Sequence, residues 1–267
     1  MRCDPAPAEI LVHLDEAEPD TAEYFRQQHP TVKCLVSASA QGPGGARNRL
    51  IAAAAFPWVV NFDDDARPLN VDFFLQVENA VRTFPDAAML TFSNQPQDWT
   101  PLEPRTVAVP SGYASVFNKA WFERLGGFVP LPFAYCMEEV DIGLRIHAAK
   151  GRMIHIPEVR IQHDMIIRPV EKAFQAQVLG NIVLFFFLRY PLVLWPLAAL
   201  KLLRRLLWLA LRCPKALPSG LAHIPSHLWR YRHHRRPVNA GRILSWLLLQ
   251  RRPIPVTTLC PSENGTP

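Results

Sequence analysis

The chain has 267 residues, 49% of them hydrophobic, so it can bury a substantial core and is long enough for an enzyme domain with an appendage. Its formal net charge is +6; acidic residues concentrate before Asp164, whereas basic runs such as residues 230–236 follow it and suit an anionic surface. The five cysteines are scattered and form no CxxC pair, which excludes a zinc knuckle and a disulfide framework. Because residues 1–4 are followed by prolines and acids instead of an apolar run, we expect no secretory signal.

The first part of the chain alternates between predicted strands and helices, in this order: strand 9–14, helix 20–28, strand 31–37, helix 46–55, strand 56–60, helix 71–84 and strand 87–92. Asp15 follows the first strand. The glycine-rich turn 41–45 leads into a helix with Arg47 near its start, an arrangement that suits a phosphate. The alternation predicts an α/β fold with a largely parallel sheet, whose ligands bind at the carboxyl ends of the strands.

Three consecutive carboxylates, Asp63, Asp64 and Asp65, follow the strand 56–60. Carboxylates held side by side repel one another and need a counter-charge, most simply a divalent cation. A solvated acidic turn is the alternative, because aspartate is a common turn residue. In a parallel sheet, Asp15 and these carboxylates would share one edge.

A second acidic cluster begins a helix predicted near Met137. Glu138, Asp141 and Arg145 lie on neighbouring turns of this helix, whereas Glu139 points elsewhere. Either the acids complement the helix dipole and pair with Arg145, or one carboxylate takes a proton in a cleft beside the metal. The preceding aromatic loop either packs in the core or forms a wall for a sugar ring.

Two further short strands, 153–157 and 159–163, end at His163, which is either structural or a metal ligand. The apolar runs 178–188 and 190–200 are each shorter than the roughly 20 residues that a spanning helix needs. We therefore expect amphipathic helices that lie in a membrane interface, with a re-entrant hairpin or a single strained span as the alternative. Nucleic acid is a less fitting partner, because leucine and tryptophan dominate between the basic residues.

These features, in this order, resemble the family 2 glycosyltransferases with the nucleotide-sugar-binding GT-A fold. The resemblance covers roughly residues 8–168, and the remainder is similar to the membrane-associated tail of rhamnosyltransferase-like members. The resemblance to this family rests on the following segments and residues: residues 9–15, 45–48, 62–66, 126–128 and 138–141, together with Arg145, Gly151 and His163.

The resemblance implies that Asp15 contacts the nucleoside of a nucleotide-sugar donor and that Arg47 holds its nucleotide part, with Asp63 and Asp64 also at the donor. It implies a Mg²⁺ or Mn²⁺ ion at the diphosphate, held by three ligands: Asp63, Asp65 and His163. Glu139 takes the place of the catalytic base. Because the family has Asp where this chain has a second Glu, Glu138 is the alternative base.

The activity implied is inverting transfer of one sugar to a hydroxyl of a glycan or lipid-linked acceptor at the cytoplasmic face of the membrane. Processive members carry a Gln-x-x-Arg-Trp motif, which does not follow Glu139 here. A metal-dependent phosphohydrolase and a catalytically impaired, glycosyltransferase-like membrane scaffold are the other function classes considered.

The predicted organisation is a GT-A domain over residues 1–168, a helical membrane-associated region over 169–250, and a disordered tail over 251–267. The family's first strand and helix have no counterpart before Glu9. We therefore expect the GT-A domain to be N-terminally incomplete, with a gap in the sheet beside the strand that ends at Asp15.

Overall fold

The computed structural model describes residues 3–15, 19–95, 103–164 and 171–256. Up to residue 95 its elements are β1 (Ile10–Asp15), α1 (Pro19–Gln28), β2 (Val32–Ser37), α2 (Gly42–Ala53), β3 (Trp58–Phe62), β4 (Ala66–Pro68), α3 (Phe73–Thr83) and β5 (Met89–Gln95). The next segment contains β6 (Arg105–Thr106), β7 (Ala114–Asn118), α4 (Lys119–Leu125), α5 (Glu138–Ala148) and β8 (Met153–His163). The last contains α6 (Lys172–Arg189), α7 (Trp195–Arg212), α8 (Ala216–Tyr231), α9 (Ala240–Arg251) and β9 (Ile254–Pro255).

The main sheet has seven strands in the order β3-β7-β5-β8-β6-β9, with β4 paired to β8 off this path. The predicted mixed α/β fold is confirmed, but the prediction of mostly parallel strands is wrong for the described pairs of this sheet. Only β5 and β8 pair in parallel; the other pairs are antiparallel. Antiparallel neighbours need no helical crossover, and β6 and β7 follow β5 without a helix in the described part of the chain.

Strands β1 and β2 form a separate two-stranded parallel sheet, in register from Ile10 opposite Val32 to Asp15 opposite Ser37. Within the described residues, β1 therefore has one unpaired edge. Asp15 is consequently the last residue of a strand in one sheet, whereas the acidic triplet follows a strand of the other, so the prediction of one shared sheet edge is wrong. Helix α2 connects the two parts, because it lies between β2 and β3 in the chain and packs against both β1 and α4.

Helix α2 begins four residues earlier than predicted, at Gly42. Gly42 has a φ of 66°, and a Cβ there would lie 2.1 Å from the carbonyl oxygen of Leu131. Only glycine accepts this backbone angle together with this close approach. Pro43 then occupies the first turn of the helix, where its missing N–H costs nothing. The predicted glycine-rich turn is thus the start of the helix.

The core of the sheet lies between its strands and α3, where Phe73, Leu90 and Phe92 are fully buried. The two short strands predicted before His163 form one strand, β8. Pro157 does not end β8, because the register with β5 shifts between Phe92 and Ser93 and the strand continues past this irregularity.

Helices α6 to α9 pack on the segment that precedes α5. Tyr190, Trp246 and Leu131 belong to one buried cluster, and the indole N–H of Trp246 donates a 2.8 Å hydrogen bond to the carbonyl of Ala108. Strand β9 pairs with β6, so ordered structure extends to Val256 and the predicted disordered tail begins too early; residues 257–267 lie outside the described part. Among the described residues, no helix combines the length and apolar character needed to cross a membrane.

Candidate functional site

Asp63, Asp65 and His163 come together beside the end of β3. Asp63 follows β3 directly, and its N–H donates to the carbonyl of Tyr113. The chain then turns into β4, whose Ala66 pairs with His163 on β8. One ligand atom from each of the three side chains lies within 4.8 Å of the others. The short return from β3 to β4 therefore brings two aspartates of the triplet to the histidine that ends β8.

His163 is held on three sides. Its N–H donates to Oδ1 of Asn94 at 2.9 Å, its ring stacks on Tyr113 with 4.6 Å between centroids, and its Nε2 lies 3.2 Å from Oδ1 of Asp65. Its Nδ1 is buried and has no hydrogen-bond partner among the described residues. An imidazole grouped with two carboxylates offers a donor set that fits a hard divalent cation such as Mn²⁺ or Mg²⁺.

Arg47 links this cluster to helix α5. Its guanidinium donates to Oε2 of Glu138 at 2.7 Å, to Oδ1 of Asp63 and to the carbonyl of Gly112 at 3.2 Å. Arg47 is only 7% exposed. Burial acts to lower the pKa of Arg47, but the negative charges of Glu138 and Asp63 outweigh burial and raise it. A permanently charged arginine thus lies between the candidate metal ligands and the start of α5.

Glu138 is buried, with 4% of its surface exposed. Burial raises its pKa to about 7, against the opposing effect of Arg47. Its Oε2 accepts from Arg47, and its Oε1 has no partner among the described residues. A Cβ at Gly44 would lie 2.5 Å from Oε1, so α2 packs directly against this carboxyl group. Glu138 is therefore enclosed between α2 and α5.

Glu139 is only partly buried and lines a small cavity together with Arg47, Ser111 and Gly112. A Cβ at Gly112 would lie only 2.1 Å from Oε1 of Glu139. Because glycine has no Cβ, it leaves room for this carboxylate. Burial raises the pKa of Glu139, and a backbone hydrogen bond and Arg47 act against that rise. Of the two glutamates, Glu139 is the more exposed residue.

Asp141 has a structural role. It is 1% exposed and forms salt bridges with Arg145, four residues along α5, and with Arg189 at the end of α6. Burial alone would raise its pKa, but the two arginines lower it. The predicted pairing of Asp141 with Arg145 is confirmed. Arg189 is a partner that sequence spacing could not reveal.

Asp15 and Asp64 lie apart from the cluster of Asp63, Asp65 and His163. The carboxylate of Asp15 accepts from the backbone N–H of Gln41 at 2.7 Å and of Gly42 at 3.0 Å, at the start of α2. Asp64 is exposed, and its carboxylate makes no hydrogen bond or salt bridge to a described residue. Both remain predicted donor-binding residues.

Asn94, Gly112 and Tyr113 contribute to the site without having been recognised in the sequence. Asn94 accepts a hydrogen bond from the backbone N–H of His163. The carbonyl of Gly112 accepts one from Arg47, and the carbonyl of Tyr113 accepts one from the backbone N–H of Asp63. Residues 110–113 read as an ordinary turn, Pro-Ser-Gly-Tyr. The one available signal was a polar segment that directly precedes the apolar run of β7.

Comparison with solved structures finds the same fold at low sequence identity. The crystal structure of GalNAc-T7 with UDP, GalNAc and Mn²⁺ matches at 14% identity with a TM-score of 0.55, over 69% of this chain and 42% of that one. The mannosyltransferase PcManGT from Pyrobaculum calidifontis, in complex with GDP-Man and Mn²⁺, matches at 18% identity with a TM-score of 0.52, over 90% and 69%. S. aureus TarS 1-349 with UDP-GlcNAc matches at 13% identity with a TM-score of 0.50, over 91% and 81%.

The present chain thus spans less than half of GalNAc-T7. No curated protein matches it in sequence. The likeness to these structures establishes the fold, and the GT-A fold expected from the sequence is confirmed. The model of glycosyl transferase family 2 matches residues 4–139, just over half of the chain. The chain therefore belongs to glycosyl transferase family 2.

Proposed function

We propose that the protein transfers one sugar from a nucleotide-sugar donor to an acceptor hydroxyl, with inversion at the anomeric carbon and with a divalent cation. The observation that carries the proposal is the cluster of Asp63, Asp65 and His163, whose ligand atoms lie within 4.8 Å of one another. Arg47 contacts Asp63 of this cluster and Glu138 at the start of α5, and it lines the same cavity as Glu139. Diphosphate anchoring and proton abstraction would then occur in one cleft.

Asp63, Asp65 and His163 are the proposed metal ligands. A bound Mg²⁺ or Mn²⁺ would supply positive charge that stabilises the leaving diphosphate. The structural neighbours were solved with UDP, GDP-Man or UDP-GlcNAc, and two of them with Mn²⁺, which supports a nucleoside diphosphate sugar as the donor class. Arg47 adds a fixed positive charge next to Asp63 and would favour the same anionic group.

Glu139 is the proposed general base. It is accessible from the cavity beside Arg47 and Gly112, whereas Glu138 is enclosed and paired with Arg47. A carboxylate whose pKa is raised by burial is a stronger base for an acceptor hydroxyl. The hydroxyl oxygen would attack the anomeric carbon directly while Glu139 takes the proton. Direct displacement at this carbon inverts its configuration. Glu138 would position Arg47 and would not itself contact the acceptor.

The acceptor proposed is a glycan or a lipid-linked sugar, reached at the cytoplasmic face of a membrane. Support comes from the described part of the chain after residue 171, which combines exposed leucines with basic side chains. Polysaccharide biosynthesis at the cell envelope would be the corresponding process.

Metal-dependent nucleotide binding tests the core of this proposal. We expect isothermal titration calorimetry to show that UDP or GDP binds at least about tenfold more tightly with Mn²⁺ than without it. The double variant Asp63→Asn/Asp65→Asn should lose that difference, because amide oxygens carry no charge for the cation. Asp86→Asn, at the opposite end of β5 from Asn94, is the matched control and should bind like the unmodified protein. Equal binding with and without Mn²⁺ would contradict the proposal.

A further inference from the structure

Helix α7 carries a row of leucines that faces away from the rest of the protein. Leu200, Leu203, Leu207 and Leu211 follow one another at spacings of three and four residues, which places them on one face of the helix. Each is between 53% and 83% exposed. The opposite face is already used, because Leu209 is fully buried against α6 and α8. These four leucines therefore have no partner within the described residues.

The exposed apolar surface continues at the N-terminal end of α7. Leu192 and Val193, in the short 3₁₀ turn before the helix, are 71% and 72% exposed. Trp195 and Trp208 are also exposed. Exposed large apolar residues grouped along one helix indicate an interaction site, and tryptophan is typical of surfaces that meet a membrane interface. We call the four leucines with Leu192 and Val193 the leucine face.

The surroundings of the leucine face are positively charged. Residues 172–256 contain fourteen lysines and arginines and no aspartate or glutamate. In the part of the chain that the structure describes, only Arg189 of this stretch forms a salt bridge with a carboxylate. Arg204 and Arg212 lie on α7 itself and are exposed beside the leucines. Among the residues that the structure describes, the charge around the face is thus almost entirely uncompensated.

We infer that the leucine face docks on an anionic lipid bilayer, with the leucines inserted among acyl chains and Arg204 and Arg212 at the headgroup phosphates. A second copy of the chain is disfavoured, because it would bring the same positive charges together. Nucleic acid would satisfy the arginines but leave the leucines in water. This inference rests on the proposed membrane-side acceptor and specifies the surface that reaches it.

The leucine face connects to the start of α5 through a short path of contacts. Arg205 on α7 hydrogen-bonds Gln175 on α6, and Asn181 on α6 donates to the carbonyls of Phe133 and Tyr135 at 2.9 Å each. Tyr135 is 47% exposed and stands three residues before Glu138. Docking through α7 would therefore be linked, through α6, to the loop that precedes the proposed base.

Vesicle binding tests the inference. The purified full chain is sedimented with vesicles of phosphatidylcholine, with or without phosphatidylglycerol. We expect binding to rise about tenfold or more when phosphatidylglycerol is present. Leu203→Glu/Leu207→Glu should reduce that binding at least about tenfold, because it places charge where acyl chains should be. Arg204→Glu/Arg212→Glu should reduce it by a similar factor.

The matched control is Val71→Glu/Leu75→Glu, which charges two exposed apolar residues of the GT-A domain and should bind vesicles normally. Unchanged binding of the α7 variants would overturn the inference. It would also be overturned if sedimentation equilibrium showed a dimer that Leu203→Glu/Leu207→Glu dissociates, or if the protein bound RNA and not the vesicles. Calorimetry of nucleotide binding separates the two proposals: a failure of the proposed function appears there, and a failure of docking appears only with vesicles.

Discussion

At the scale of single residues, the two adjacent glutamates of α5 are separated by their surroundings. Glu138 is enclosed by α2 and paired with Arg47, whereas Glu139 faces the cavity beside Gly112. The sequence placed both at a helix start, and the family resemblance gave Glu139 as the base with Glu138 as the alternative. The ranking depends on Arg47, which is 91 residues away along the chain.

We expect Glu139→Gln to lower kcat by about 10²- to 10⁴-fold, because it removes the proposed base and leaves the donor site intact. The KM for the donor should change little. Glu138→Gln should instead raise the donor KM more than it lowers kcat, because Arg47 loses the charge that holds it. Steady-state kinetics of both variants check this, and an equal loss of kcat in the two would contradict it.

The dependence of the rate on pH also tests the role of Glu139 as the general base. Glu139 must be deprotonated to act as a base, and burial raises its pKa. The rate should therefore fall as the pH drops through a pKa raised above the usual value for a glutamate, and kcat/KM of the free enzyme should show this limb. Glu139→Gln should abolish the limb. A profile that stays flat down to the ordinary pKa of a glutamate would speak against Glu139.

At the scale of elements, Asp141 ties α5 to α6. Its carboxylate lies between Arg145 and Arg189, and Arg189 also donates to the carbonyl of His234 at 3.0 Å. The cluster is buried and joins the helix with the proposed base to the C-terminal helices. A buried pair that loses one member leaves an uncompensated charge, which costs more than the pair contributes.

We expect Asp141→Asn to reduce the free energy of unfolding by about 3–5 kcal/mol, because two buried arginines would lose their carboxylate. Urea denaturation followed by circular dichroism measures this. Asp86→Asn is the matched control: it removes a carboxylate from an exposed pair with Arg152 and should cost about 1 kcal/mol or less. Similar losses for the two variants would show that the buried cluster is not specially important.

Most elements could be predicted from the sequence, because apolar runs, glycines and helix starts are local signals. The antiparallel placement of β3, β5 and β7 could not, since the pairing partner of a strand is not encoded in its own periodicity. The single strand β8 was missed because Pro157 looked like a break. Asp63, Asp65 and His163 were found from the acidic triplet and the family resemblance, whereas Asn94 and Tyr113 lie in segments without a motif.

At the scale of the whole molecule, the predicted boundary between residues 168 and 169 does not separate two cores. Leu131, Met137 and Leu144 of the GT-A part share one buried cluster with Leu184 and Trp246 of the helical part. The predicted domain division remains a prediction about function and origin. The shared cluster has a consequence for stability, because neither side can lose its packing partner without exposing apolar surface.

We expect the two parts to unfold together in one cooperative transition. Thermal unfolding followed by far-ultraviolet circular dichroism and by tryptophan fluorescence should give the same midpoint, since several of the seven tryptophans lie in the helical part. Two separate midpoints would mean that the shared cluster does not couple the parts. Addition of Mn²⁺ with UDP or GDP should move both signals together.

The return of the chain from α9 to the main sheet also limits how the protein can be shortened. Strand β9 pairs with β6, and Trp246 on α9 holds the carbonyl of Ala108. Deleting the region after residue 170 to make the enzyme easier to purify would therefore remove one edge strand and uncover the residues packed behind α5. Reagents that cover the leucine face, such as detergent or lipid nanodiscs, suit this protein better than truncation.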